Sequence, residues 1–168
     1  MEFKLRKWNE TDLESLIKYA DNPNIAKWLT NRFPHPYTRE DGKAYLAMIA
    51  NDNPTRVFAI EVNGEAVGSI GIVLQSDIHE KNAEIGYWLA EEFWGHGIAS
   101  KAVREITKYG FQTFDIVRMF ARPFSTNEKS QRILENAGFS LEAKLKKAIF
   151  KNGEFIDELI YAKFRFEE

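Results

Sequence analysis

No cysteine occurs among the 168 residues. That absence excludes disulfide bridges, thiolate metal ligands and a cysteine nucleophile together, and it fits a reducing compartment. No charge of one sign prevails either: 23 lysines and arginines stand against 25 aspartates and glutamates, a net of −2. Without a global positive field to draw in a polyanion, nucleic acid is not an expected partner. Nor does any apolar run approach the roughly 20 residues that cross a bilayer. The opening Met1-Glu2-Phe3-Lys4-Leu5-Arg6-Lys7-Trp8 alternates apolar and charged residues instead of building the apolar stretch of a secretion signal. A cytoplasmic location with no membrane partner is expected. Histidine is scarce, and His35, His79 and His96 form no pair at helical spacing. With thiolates also missing, no metal site is expected.

What is present is a globular composition, 44% hydrophobic and 29% charged, without internal repeats or low-complexity segments. The length suits one domain spanning residues 1–168, able to bury roughly 70% of its unfolded-chain surface. After the first strand, Thr11-x-x-Glu14 has the form of a capping box, and Leu13, Leu16, Ile17 and Ala20 follow at helical spacing. Asn22-Pro23 and Phe33-Pro34-His35-Pro36-Tyr37 break regular structure around a short helix over 25–29, and a further helix covers 39–50. Strands over 57–62 and 66–74 flank Asn63-Gly64, a hairpin turn signal. A polar turn over 77–82 leads to a strand over 83–89 with Gly86 in its middle. A helix then follows with Ala99, Ala102, Val103, Ile106 and Gly110 on one side. A short strand over 116–121, a helix over 130–137 capped by Gly138, and strands over 141–151 and 154–164 around Asn152-Gly153 complete the chain. The order predicts an α/β fold of the mixed α+β kind, with a mixed sheet of hairpins and helical crossovers.

The segment Trp94-Gly95-His96-Gly97-Ile98-Ala99-Ser100 lies between a predicted strand and a predicted helix. Two glycines let the backbone curl so that successive N–H groups point inward, and such a nest at the positive end of a helix holds phosphate. It is not a Walker A loop, because Ile98-Ala99-Ser100-Lys101 follows and no Gly-Lys-Ser/Thr occurs. The dinucleotide fingerprint is a closer decoy, with Ser100 in place of the third glycine and Asp115 standing 20 residues after Gly95. A ribose-binding carboxylate should end a strand, whereas Asp115 precedes one, and the strands upstream do not read as doubly wound.

Ile85-Gly86-Tyr87-Trp88-Leu89, then Trp94-Gly95-His96-Gly97-Ile98-Ala99, then Asn127-x-x-Ser130 and Glu135-Asn136-Ala137-Gly138-Phe139, resemble the GNAT superfamily of acetyl-CoA-dependent N-acetyltransferases along nearly the whole chain. The pattern is most similar to the branch that acetylates the N-termini of ribosomal proteins, with its Trp- and Pro-containing region matched by Trp28 to Tyr37. The resemblance implies a central, mostly antiparallel sheet of six or seven strands, flanked by about four helices and splayed between strands 4 and 5. It also implies acetyl-CoA as co-substrate, without a metal. The family's phosphate loop, Gln/Arg-x-x-Gly-x-Gly/Ala, is carried by Trp94, Gly97 and Ala99, with Trp94 departing from the usual Gln or Arg. Main-chain N–H groups of Gly95, His96, Gly97, Ile98, Ala99 and Ser100 are implied to hold the diphosphate. The strand end Tyr87, Trp88 and Leu89 is implied to pair with the pantetheine amides as a strand would. Asn127 is implied to hold that arm and Ser130 to stand near the thioester sulfur.

Acetyl transfer needs a neutral amine, so some group must take a proton from an ammonium whose pKa is near ~10. Glu84 on the central strand matches the family's carboxylate that acts through water; as a bare residue it also reads as a solvated strand glutamate. Ser130 is the matching hydroxyl for protonating the departing thiolate, because the family's alternative Tyr position is Leu134 here; it also reads as decoration of a helix N-terminus. A backbone N–H near Leu89 is the implied stabiliser of the oxyanion. Trp28, Phe33, His35 and Tyr37 fall where the family admits its acceptor, against a plain reading as loop packing. His96 reads as an exposed loop residue, and Glu91-Glu92 as either an attractor of cationic amines or a solvated turn. The expected activity is direct acetyl transfer in a ternary complex to a small-molecule or peptide amine, by a monomer or homodimer. The alternative is an acyl-CoA-binding sensor without turnover.

Overall fold

The computed structural model describes residues 1–166. Among them seven strands and five α-helices follow in the order β1 (Lys4–Lys7), α1 (Leu13–Ala20), α2 (Pro23–Ala26), α3 (Arg39–Ile49), β2 (Val57–Val62), β3 (Glu65–Leu74), β4 (Asn82–Leu89), α4 (Ile98–Thr113), β5 (Arg118–Ala121), α5 (Glu128–Asn136), β6 (Ser140–Lys151) and β7 (Glu154–Phe164). The strands line up as β1-β2-β3-β4-β5-β7-β6. The pairs β1–β2, β2–β3, β5–β7 and β7–β6 are antiparallel, and β4–β5 is parallel. Asn63 and Asn152, each followed by glycine, have positive φ in the two hairpin turns. The parallel register covers Asn82–Glu84 against Arg118–Phe120 and ends there, although β4 runs on to Leu89.

Two compact units divide these residues. The first comprises 1–71 and 87–102. Its strands β1, β2 and the start of β3 bury Ile60, Val62, Val67 and Ile70 together with Leu16 and Ala20 of α1. The start of α1 corrects the sequence reading. The capping box is Asn9 with Asp12, not Thr11 with Glu14, and it closes a 3-10 turn over Glu10–Asp12 ahead of the helix. The cause is Arg6, whose Nη1 and Nη2 donate to the two carboxylate oxygens of Asp12 at 2.7 and 2.8 Å and hold it facing the Asn9 N–H. The short second helix likewise begins at Pro23, two residues before the expected 25, because Asn22 caps it and proline suits its first turn.

The second unit comprises 72–86 and the described residues from 103 onward. The rest of α4 packs Val103 and Ile106 inward, and Gly110 lets it approach Ile72 and Met119 closely. Asn127 caps α5, which starts two residues earlier than the expected 130. The helix ends in a Schellman pattern, Phe139 N–H to the Leu134 carbonyl and Gly138 N–H to the Glu135 carbonyl, both 3.0 Å. Phe139 and Leu134 are both buried, completing the motif. The β6–β7 hairpin carries irregularities between Leu141 and Ala143 and between Leu145 and Ile149. Lys147 has φ of 53°, and its N–H donates to Asp157. β6 is an edge strand, largely exposed, and bears Lys144, Lys146, Lys147 and Lys151. Phe150 and Phe155 pack in a tilted arrangement at its tip, with ring centroids 4.9 Å apart. Among the described residues no helix is long and apolar enough to cross a membrane.

Candidate active site

The loop between β4 and α4 has the conformation that the glycine spacing calls for. Gly95 and Gly97 have φ of 79° and 74°, the left-handed region in which a side chain is strained. A Cβ at either position would meet open space, so conformation rather than crowding demands glycine. The first helical bond of α4 is that of Lys101 N–H to the Gly97 carbonyl, at 3.2 Å. The N–H groups of Ile98, Ala99 and Ser100 precede it and point out of the helix end with its positive partial charge. Ile98 is buried and anchors the turn, Ala99 and Ser100 are half-buried, and His96 is exposed. Trp94, the departure from the family pattern, donates from its indole Nε1 to the Leu89 carbonyl at 2.7 Å and so ties the loop to the end of β4. Glu91 accepts from the Asn22 and Asn24 side-chain amides at 2.8 and 3.1 Å, which gives it an anchoring part in this loop.

The end of β4 is held on its other side by β3. The Ala90 N–H donates to the Val67 carbonyl at 2.8 Å, and a Cβ at Gly68 would lie 2.5 Å from the Trp88 carbonyl oxygen. Trp88 and Leu89 are buried, and Tyr87 is half-buried. Phe33 packs edge-on against Trp88, with ring centroids 5.8 Å apart, and in a tilted arrangement against Tyr37 at 5.3 Å. Tyr37 is buried, which pushes its hydroxyl pKa up, and its N–H donates to Asp21 at 2.9 Å. His35 Nδ1 lies 3.5 Å from the same Asp21 oxygen, with the imidazole partly exposed. Lys27 sits over the half-buried Trp28 ring. The structure thus joins Phe33 and Tyr37 to the strand end through Trp88, while His35 stands on the surface of the same segment.

The second unit carries the proton-transfer candidates. Glu84 is half-buried on β4. Burial raises its pKa above the ordinary carboxylate range, Arg122 opposes the shift and Glu158 adds to it. A carboxylate so placed is a better proton acceptor than one in water. Asn127 spends its side-chain oxygen on the Ser130 N–H, at 3.2 Å, so only its amide nitrogen has donors to offer a ligand. Ser130 is half-buried in the first turn of α5. The loop before that turn is fixed by Ser125 N–H to the Asp157 carbonyl and by Gln131 to the Ser125 carbonyl, at 2.9 and 3.0 Å.

Three participants escaped the sequence reading. Arg122 and Glu158 carry no motif; only strand pairing brings them to one place, where Arg122 Nε donates to Glu158 at 3.1 Å. The tether from Trp94 to Leu89 also lacks a sequence signal beyond the spacing of five residues. Among the described residues no group of three or more His, Cys, Asp and Glu side chains is placed to hold a metal ion.

The profile of the acetyltransferase (GNAT) domain matches residues 2–140. The uncharacterized N-acetyltransferase YoaA of Bacillus subtilis is 35% identical, over 74% of this chain and 88% of that protein. The spermidine N(1)-acetyltransferase of Escherichia coli K12 is 28% identical, over 90% of this chain and 80% of that protein. Among solved structures, RimL, a ribosomal L7/L12 alpha-N-protein acetyltransferase in complex with coenzyme A, superposes with a TM-score of 0.85. It is 23% identical, over 96% of this chain and 93% of its own.

Proposed function

The chain belongs to the acetyltransferase (GNAT) family and is an acetyl-CoA-dependent N-acetyltransferase, and on that premise we propose that it acetylates a primary amine by direct transfer. Acetyl-CoA supplies the acyl group as a thioester. The loop Gly95–Ser100, with two left-handed glycines and the open N–H groups of α4, is the observation that carries the assignment: its donors fit a diphosphate. The strand end Tyr87–Leu89 offers main-chain groups to the pantetheine arm. The Asn127 amide nitrogen donates to that arm as well.

Glu84 takes the proton of the acceptor ammonium through water, its half-burial suiting it to the task. The departing thiolate, whose conjugate acid has a pKa of about 8.5, takes the second proton that the attacking nitrogen loses as the amide forms, and the Ser130 hydroxyl relays it, giving its own proton to the sulfur as it receives the one from nitrogen. A main-chain N–H near Leu89 faces the negative charge that develops on the acyl oxygen. Trp28, Phe33, His35 and Tyr37 form the acceptor side, with the packed pair Phe33 and Tyr37 shaping it and His35 reaching substrate. The amine is a polyamine or a peptide N-terminus, the acceptors named for two of its relatives. The reaction belongs to the cytoplasm, where acetyl-CoA is available.

A thiol-release assay across spermidine, other amines and N-terminal peptides tests the proposal. Free coenzyme A should appear only when a suitable amine is added. A chain that binds acetyl-CoA and releases no thiol with any acceptor would overturn the assignment in favour of a sensor.

A further inference from the structure

Alternation along the strands of the second unit gathers charged side chains around Glu84. Glu84 is registered opposite Phe120 across the parallel β4–β5 pair, and Phe120 opposite Ala162 across β5–β7. Arg122 lies one residue past the end of β5, but the bridge between Phe124 and Glu158 and the Leu159 N–H to Pro123 carbonyl bond continue the β5–β7 register there, so Arg122, two positions after Phe120, and Glu158, four before Ala162, both return to the face that carries Glu84. Phe120, Ile160 and Ala162 form the apolar floor of that face. Above it the Arg122–Glu158 pair closes at 3.1 Å, with the glutamate side chain 16% exposed and the arginine 43%.

The neighbouring groups do not compete for Glu84. Arg118, one row along, is occupied by Glu142 at 2.6 Å and by Asn82 at 3.0 Å. The β3 stretch 72–74 contains no ionisable residue. On the same face, Arg122 favours the ionised Glu84 carboxylate and Glu158 opposes it, so the two charges act on it with opposite signs.

We propose that Arg122, steered by Glu158, is a positioning residue for the reaction: its guanidinium supplies the positive field that Glu84 needs, while Glu158 draws it toward β7 and keeps it from closing on Glu84. A direct Arg–carboxylate pair would hold Glu84 ionised but make it a poor proton acceptor. Without the cation, burial alone would leave the carboxyl protonated to higher pH. The competition between two carboxylates for one guanidinium sets Glu84 between these limits.

This inference rests on the reading of Glu84 as the proton acceptor, and the experiment separates the two. The pH dependence of kcat/KM, with one amine throughout, is measured for the wild type, Arg122→Met, Arg122→Lys, Glu158→Gln and Glu84→Gln. In parallel the Glu84 carboxyl is titrated by carbon-13 NMR in the full chain. Arg122→Met should move the acidic limb and the NMR midpoint upward by about one pH unit. Glu158→Gln should move both downward, and Arg122→Lys should stay near the wild type. A merely structural pair would not give opposite displacements. Arg122→Met and Glu158→Gln midpoints that coincide with the wild type, or that move in one direction, would overturn the inference. An acidic limb that survives in Glu84→Gln would instead remove Glu84 as the acceptor, with the NMR midpoints still deciding the coupling.

Discussion

Glu84 makes opposed demands on activity and stability. General-base assistance is typically worth 10²–10⁴-fold, so Glu84→Gln should lower kcat by about that factor and flatten the pH profile while binding of acetyl-CoA survives. Its raised pKa means that the folded state binds the proton more tightly than the unfolded chain does. The associated stability is present at pH below the unfolded-state value and is lost as the pH rises through the folded value. Above the folded value the ionised carboxylate is thus a cost, and Glu84→Gln should melt no lower than the wild type at pH 7.5. A clearly lower melting temperature there would mean that the carboxylate is a structural anchor. Trp94 poses the complementary question, since a sequence comparison sees only a lost cation. Trp94→Phe keeps a ring but removes the hydrogen bond to Leu89, a contribution of about 1 kcal/mol. The KM for acetyl-CoA should rise roughly fivefold, and an unchanged KM would show that the loop holds its shape without the tether.

At the scale of elements, β4 depends on how closely β3 lies against its end. Gly68→Ala would drive a methyl group into the Trp88 carbonyl, 2.5 Å from the added carbon, and main chain cannot step aside as a flexible side chain can. We expect a loss of about 1–3 kcal/mol in urea unfolding together with a fall in kcat, and full activity at wild-type stability would mean that β3 shifts without consequence. The turns were legible because Asn-Gly has a conformational meaning of its own, and the strands because their apolar positions alternate. The cap of α1 was not. Thr11 and Asn9 both offer a capping oxygen, and the choice between them falls to Arg6, which draws Asp12 into place. Likewise the glycine spacing announced the phosphate loop, whereas the surroundings of Glu84 come from residues 38 and 74 positions further along, linked only by register.

For the whole molecule, acetyl-CoA should act as a ligand of the folded chain alone. At 100 times its dissociation constant it contributes about 2.7 kcal/mol, which for a chain of this size corresponds to a rise of roughly 5–10 °C in Tm. No rise at saturating acetyl-CoA would count against a folded binding site. Composition had already set the scale of the answer, since a balanced charge and an ordinary apolar fraction specify a globule without naming its ligand. The β6 margin has a separate consequence. A foreign strand seeking to extend the sheet there would have to strip water from a row of ammonium groups and fit two kinks in the backbone. Lateral templating is discouraged at the very border where the sheet ends, so replacing Lys146 and Lys151 by valine, which leaves the kink at Lys147 intact, should raise thioflavin T fluorescence on incubation above that of the wild type.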